Sequence, residues 1–254
     1  YFNFVKNKKK MFSIFKSKPL LKDVISEGFV DIHSHILHGL DDGAKSLNDT
    51  VFFFVLMKSF GFEKIITTPH TTPLVWENTK EGIINKLDQV KKEIPDLANS
   101  VSLSAASEYL MDESFLERIE RESLLTVKDN MVLVEMSYIN PPINLYDILF
   151  KLISKGYQPI LAHPERYNFY KDDFKSFIRL KNAGCLFQLN LLSTTGYYGE
   201  GIAKLADELL KEKMYDFAGS DIHHEKHIKG FSSKLIIKEV ESLKVVIDNN
   251  KIFK

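Results

Sequence analysis

Residues 28–44 read GFVDIHSHILHGLDDGA. The stretch opens with Phe29 and Val30, a short run of strand character, and then alternates, so that a strand carried through it turns His33 and His35 to one face. Three of the chain's eight histidines, His33, His35 and His38, fall here beside the paired Asp41 and Asp42. In parallel α/β folds the C-terminal ends of the strands open onto one face, where sites are built. A strand that begins apolar and ends in imidazoles is therefore the pattern to seek in the rest of the chain.

The pattern recurs. Seven candidate strands are GFVDIHSH (28–35), KIITTPH (64–70), VSLSAASEY (101–109), MVLVEMSY (131–138), QPILAHPE (158–165), LFQLNL (186–191) and YDFAGSDIH (215–223). Six of them carry His, Glu or Asp toward the end: His33 and His35, His70, Glu108, Glu135, His163, then Asp221 and His223. Helical periodicity fills the segments near 46–60, 79–94, 112–122, 143–156, 171–184, 199–213 and 231–249. Ser46 followed by Asp49 has the spacing of a capping box, and Gly61, Gly156 and Gly184 follow helical runs as stops. Alternating strands and helices predict parallel βαβ units, and seven of them favour a closed (β/α)7 barrel over a doubly wound open sheet. No repeat, Gly/Ser linker or low-complexity block divides the chain, so residues 28–254 are expected to form one domain behind a basic, aromatic tail, 1–27.

Composition excludes several classes. With 34 basic and 34 acidic residues, no global field draws in nucleic acid or anionic lipid. The longest apolar run, VFFFVLM at 51–57, is too short to span a bilayer. The tail lacks a signal peptide's apolar core, and Met11 is a candidate translation start; a weak membrane-surface anchor is the alternative for this segment. Cys185 is the lone cysteine, which rules out a disulfide framework and fits a reducing cytoplasm. It sits in an apolar strand pattern, so a small core side chain is the expected role.

Each polar strand end has an unremarkable reading when taken singly: a chance His-x-His, or a buried glutamate paired with a base. Together they would place two glutamates, an aspartate and several histidines at one mouth. Buried charge is costly unless it is paired or bound to metal. Imidazoles and carboxylates without thiolate suit Mn, Fe, Zn or Co, and more than six donors exceed the needs of one ion. Closely spaced ions generate hydroxide near neutral pH and neutralise a phosphoryl group during in-line attack.

DIHSHILHGLDDGAKS, TTPH, ASEYL, VLVEMS, LAHPERY and AGSDIHH, in this order, resemble the polymerase-and-histidinol-phosphatase superfamily, and within it the bacterial tyrosine-protein phosphatases of capsular and exopolysaccharide loci. The similarity runs from about Phe29 to about His224. It implies a distorted seven-stranded barrel with a trinuclear centre. By this resemblance His33, His35, Glu108 and Asp221 hold one ion, Glu108, Glu135 and His163 a second, and Asp42, His70 and His223 a third. It favours Asp42 over Asp41, a pair that sequence physics leaves open, and makes His38 a bystander. Arg166 of HPERY matches an arginine suited to a bidentate phosphate contact. A second arginine usual in relatives is missing after SD-x-H, where this chain has HEKHIKG; Lys226 or Lys229 could supply charge but not guanidinium geometry.

The expected activity is hydrolysis of protein phosphotyrosine by direct water attack, with two or three divalent ions, Mn2+ first and Fe, Zn or Co as alternatives. Arg166, Glu108 and His163 are the expected catalytic residues. The expected substrate is a phosphotyrosine protein, a membrane-associated tyrosine kinase of capsule synthesis, met in the cytoplasm. No nucleic-acid partner or transmembrane segment is expected, and an oligomer is compatible with the sequence. Two alternatives stand beside this: a small-molecule phosphatase, such as one for histidinol phosphate, and a non-catalytic kinase-binding regulator.

Overall fold

The computed structural model describes residues 17–254. Residues 1–16, the greater part of the expected tail, lie outside the described residues. The remainder of that segment packs onto the body. Leu21, Val24 and Ile25 are buried, and the Leu21 and Lys22 amides donate to the carbonyls of Ser233 and Phe231. The packed body therefore starts by Leu20 and not at residue 28, because three apolar side chains here find a surface to cover.

Among the described residues, nine short strands are all paired in parallel. They are β1 (Phe29–Asp31), β2 (Phe62–Thr67), β3 (His70–Thr71), β4 (Ser102–Ala105), β5 (Glu108–Leu110), β6 (Met131–Glu135), β7 (Gln158–Ala162), β8 (Leu186–Asn190) and β9 (Phe217–Gly219). One sheet has the order β1-β2-β4 and the other β3-β5-β6-β7-β8-β9. All seven expected strands are present, but two are split. Pro69, which has no amide hydrogen to give a ladder, interrupts the second between β2 and β3. Ala106 and Ser107 interrupt the third between β4 and β5. Chain continuity across these breaks joins the sheets, and a parallel bridge between Ser34 and Ile222 links the chain beyond β1 to that beyond β9.

The helices are α1 (Leu47–Ser59), α2 (Lys80–Glu93), α3 (Pro95–Ser100), α4 (Glu113–Arg121), α5 (Leu145–Ser154), α6 (Phe174–Asn182), α7 (Glu200–Lys211), α8 (Glu225–Gly230) and α9 (Val240–Asn249). The box expected at Ser46 is formed: its hydroxyl accepts from the Asp49 amide, and the Asp49 carboxylate accepts from the Ser46 amide. The helix expected over 231–249 starts only at Val240. Leu235 and Ile237 are buried while Lys234, Ile236 and Lys238 are exposed, an alternation of period two. That stretch runs extended, and its Leu235 and Ile236 amides donate to Pro19 and Thr194 carbonyls.

Alternation along the strands divides the apolar residues between two clusters. Val132, Val134 and Leu161 join the large cluster that takes in the helices. Leu133, Ile160 and Ala162 point the other way, into a smaller cluster with Val30, Ile66 and Phe217, closed by Phe253. Cys185 is buried in the large cluster, as its pattern predicts. Among the described residues no helix is long and apolar enough to cross a membrane.

Candidate metal centre

Strand register assembles the donors. Pairing of β3 with β5 sets His70 beside Glu108, and pairing of β5 with β6 brings Glu135 opposite Leu110. His163 and Asp221 follow β7 and β9 in the left-handed region, at φ 37° and 51°. Such geometry costs a side-chain-bearing residue energy and persists where neighbours dictate it. Here the His163 amide donates to the Gln188 carbonyl at 2.8 Å and the Asp221 amide to the His33 carbonyl at 2.7 Å.

Four side chains form the tightest group. His33 Nε2 lies 3.2 Å from His35 Nε2, 3.1 Å from Glu108 Oε2 and 3.3 Å from Asp221 Oδ1. His35 Nε2 lies 3.4 Å from Glu108 Oε2 and 3.5 Å from Asp221 Oδ1. Donors about 2.1 Å from one tetrahedral ion are separated by about 3.4 Å. This is the first set implied by the sequence resemblance, and its spacing fits an ion.

The third set also converges, while the second is rearranged around His70. Its Nε2 faces Asp42 Oδ1 at 3.6 Å, and His223 Nε2 faces the same oxygen at 3.5 Å, so Asp42, His70 and His223 do converge. Its Nδ1, however, lies 3.1 Å from Glu108 Oε2 and 3.0 Å from Glu135 Oε1. Glu135 thus has His70 as its close neighbour. His163 Nε2 approaches the other oxygen of Glu108 at 3.2 Å and groups with His33 and Asp221. Glu108 contacts four imidazoles through two oxygens.

Crowding of this kind leaves atoms unpaired. His70 Nδ1, His163 Nδ1 and Glu108 Oε1 are buried without a hydrogen bond. Such groups are costly unless something else satisfies them. Their chemistry, imidazole nitrogen and carboxylate oxygen, is that of a divalent-cation site.

Electrostatics points the same way. Burial disfavours a charged His70 ring, yet Glu108's charge and the close approach of the ring to the Glu108 and Glu135 carboxylates raise its pKa to about 10. His35 is raised well above its ordinary value against its burial, by Asp41 first. Asp221 is held well below the usual carboxylate range although burial pushes it up, because His33 and His223 lie beside it. The raised values of His35 and His70 mark where the carboxylates call for positive charge.

The supporting residues were the part that sequence reasoning missed. Asp41 is buried, and its Oδ2 accepts from His35 Nδ1 at 2.7 Å and from the His70 amide at 3.0 Å. Its Oδ1 accepts from the Gly43 amide. Asp42 is half exposed and faces the donors, so the adjacent aspartates divide into an orienting and a facing carboxylate. Gln188 accepts from His33 Nδ1 at 2.8 Å, which leaves Nε2 of both His33 and His35 turned to the cluster. Asn190 donates to Asp221 Oδ2 at 2.7 Å. A signal existed: Gln188 and Asn190 alternate in an otherwise apolar strand and so face one way.

Arg166 donates to Asp221 Oδ2 at 2.7 Å, its guanidinium 4.1 Å from the Tyr198 ring centroid and 4.8 Å from that of Tyr138. Arg166 and Asp221 line a cleft of about 520 Å³, walled by Trp76, Leu110, Met136, Tyr138 and Ile139. Trp76 stacks on His70 at 5.0 Å and Tyr138 on His163 at 5.7 Å. Lys226 and Lys229 do not line the cleft, and Lys229 pairs with Glu225; His224 and His227 take the place at its edge. His38 stands apart, against Thr50.

Residues 29–232 match the family model described as capsular polysaccharide synthesis, CpsB/CapC. The tyrosine-protein phosphatase YwqE of Bacillus subtilis is 25% identical over 238 residues, covering 89% of this chain and 94% of the relative. The tyrosine-protein phosphatase CpsB of Streptococcus pneumoniae is 26% identical over 201 residues, 77% of this chain and 83% of the relative. A crystal structure from work on YwqE and CpsB, described as metal-dependent tyrosine phosphatases, superposes with a TM-score of 0.77. It covers 88% of this chain and 93% of that one at 23% identity, so the fold is common to both.

Proposed function

This chain belongs to the CpsB/CapC family of capsular polysaccharide synthesis, and from that premise we propose that it is a metal-dependent phosphomonoesterase that hydrolyses phosphotyrosine on proteins. The observation that carries this reading is the convergence of nine donors at a cleft with aromatic walls: Asp42, His70, Glu135, His163, Asp221 and His223 line it, and His33, His35 and Glu108 are buried against them. Flat walls from Trp76 and Tyr138 suit a phenyl ring whose phosphate reaches the floor.

The donor set supports two or three divalent ions, with Mn2+ as the first candidate. Four carboxylates carry a formal charge of −4, which two dications balance and three exceed, favouring a phosphate dianion. When bound, such ions lower the pKa of water and neutralise charge on the phosphoryl oxygens. The protein's own groups hold the geometry. Asp41 and Gln188 fix the His33 and His35 tautomers, Glu108 spans neighbouring donor groups with its two oxygens, and His163 closes the group at the arginine side. Arg166, held flat between two tyrosines, meets the phosphoryl group while one of its nitrogens stays on Asp221. Leu110, Met136 and Ile139 exclude water from the ring pocket.

Every carboxylate lining the described cleft, Asp42, Glu135 and Asp221, is engaged as a donor. An amine such as that of histidinol phosphate finds no further anion there, and the phenolic ester is favoured. A complete donor set likewise favours an enzyme over a non-catalytic regulator. We read the nine strands as seven staves of one distorted barrel within a single domain, β2 continuing into β3 and β4 into β5, with the Ser34–Ile222 bridge between first and last. A cytoplasmic protein acting on a membrane-associated tyrosine kinase is the setting this function suits.

The test is turnover of a phosphotyrosine peptide and of histidinol phosphate by one preparation, with metal analysis before and after chelation. Loss of activity with the ions, recovery with Mn2+ and preference for the peptide are expected. Activity that survives complete metal removal, or preference for histidinol phosphate, would overturn the reading.

A further inference from the structure

The two loops that rim the cleft have a composition at odds with their exposure. Residues 71–79 (TTPLVWENT) and 136–144 (MSYINPPIN) contain one charged residue, Glu77, where the chain average of 27% would place about five. Apolar side chains project from them instead. Leu74 is 93% exposed and Ile139 85%, while Val75 and Ile143 are also largely in solvent. Leu74 occupies the tip of a tight turn closed by the Thr72–Trp76 bridge, and its φ is 65°. Gly or Asn is the usual residue at such a φ, so a leucine there gains the fold nothing, in backbone or in burial. Both loops run directly into cleft walls, the first through Thr72 and Trp76 and the second through Tyr138 and Ile139.

We infer that these lips bind the peptide on either side of the target phosphotyrosine, and that they select uncharged, apolar neighbours. The inference rests on the phosphotyrosine reading above. A tyrosine side chain is long and rigid, so a phosphate at the cleft floor holds the peptide backbone at the rim, between Leu74 and Val75 on one lip and Ile139 and Ile143 on the other. Residues flanking the phosphotyrosine then meet four apolar side chains and few charges. Acidic flanks would lose hydration without finding a cation on these lips.

The experiment compares free phosphotyrosine with two phosphotyrosine peptides that differ only in leucine or aspartate flanks. Wild type, Leu74→Asn and Ile143→Ser are the proteins; asparagine suits the left-handed backbone, so the turn is retained. Wild type is expected to favour the leucine-flanked peptide by roughly 10-fold or more in kcat/KM, expressed in KM. Each variant should shrink that preference by roughly 3- to 10-fold and leave free phosphotyrosine turnover unchanged. Equal turnover of the two peptides, or a preference that both variants retain, overturns the inference while the phosphatase reading stands. A shift of the variants from dimer to monomer with selectivity unchanged also overturns it, assigning the lips to a second copy of the chain. Failure to hydrolyse free phosphotyrosine and both peptides removes both readings.

Discussion

Glu108 is the residue on which the centre turns, since four imidazoles lie within 3.4 Å of its two oxygens. Glu108→Gln keeps the shape and removes the charge. Bound Mn2+ should fall to a fraction of the wild-type stoichiometry by elemental analysis, and kcat/KM by more than about 1,000-fold. Asp41→Asn is predicted to be milder, because it changes a partner of His35 and no facing donor. About 10- to 100-fold loss of metal affinity is expected, with activity recovering at high Mn2+. Arg166→Ala separates phosphate binding from metal binding less cleanly than sequence alone suggests, because the guanidinium is bonded to Asp221 at 2.7 Å. Its loss should cost roughly 2–4 kcal/mol in kcat/KM at saturating Mn2+, or about 30- to 1,000-fold, and also weaken the apparent Mn2+ affinity. Arg166→Ala with wild-type kcat/KM would remove the residue from the reaction.

At the scale of elements, close approach between strands is what places the ligands. A Cβ built on Gly219 of β9 would lie 2.7 Å from His33 Cβ and 2.7 Å from Gln188 Nε2. Gly219→Ala must therefore push apart three neighbouring strand segments that carry His33, its Gln188 partner and the approach to Asp221. Lower thermal stability together with weaker Mn2+ binding is the expected outcome, measured by thermal unfolding and metal titration. Ser46→Ala acts on an element far simpler in its duties. It removes one half of the α1 capping box and should cost about 1 kcal/mol, with kcat/KM unchanged. Parallel loss of activity there would mean that the α1 N-terminus, next to Asp42, is coupled to the centre.

For the whole molecule, ions that bind only the folded chain stabilise it by mass action. At about 100 times the dissociation constant the gain is about 2.7 kcal/mol, which for a chain of this size raises Tm by roughly 5–10 °C. The pH response should change sign between the two forms. In chelated protein the His70 ring, raised from 6.5 to about 10, contributes stability that is fully present below about pH 6.5 and is lost as pH rises toward 10. His35, also raised, acts in the same direction. Chelated protein should thus lose Tm from pH 6.5 upward. With Mn2+ present, Tm should rise over the lower part of that range, because ions need deprotonated rings and compete better as protons leave. Identical pH profiles with and without chelator would show that these rings do not hold metal.

The sequence by itself determined what local rules can carry. Seven strand segments, the Ser46 box and the polar strand ends were readable because periodicity and capping act over a few residues. The nine expected donors gather at one end of the strands, six lining the cleft and His33, His35 and Glu108 buried against them, because parallel strands send their C-terminal ends the same way. Tertiary structure alone decided which donors meet. His70 is shared between Asp42 on one nitrogen and Glu108 with Glu135 on the other, an outcome of the register of β3 against β5 that no residue spacing encodes. Asp41 and Asp42 are chemically identical and adjacent, and only the fold of the loop buries one under His35 and leaves the other facing the centre. The start of the packed body by Leu20 and the extended run through Leu235 and Ile237 were hidden for the same reason. Both segments are held by partners hundreds of residues away, Leu20 by Lys234 and Leu235 by Pro19, and short-range pattern carries no record of such pairings.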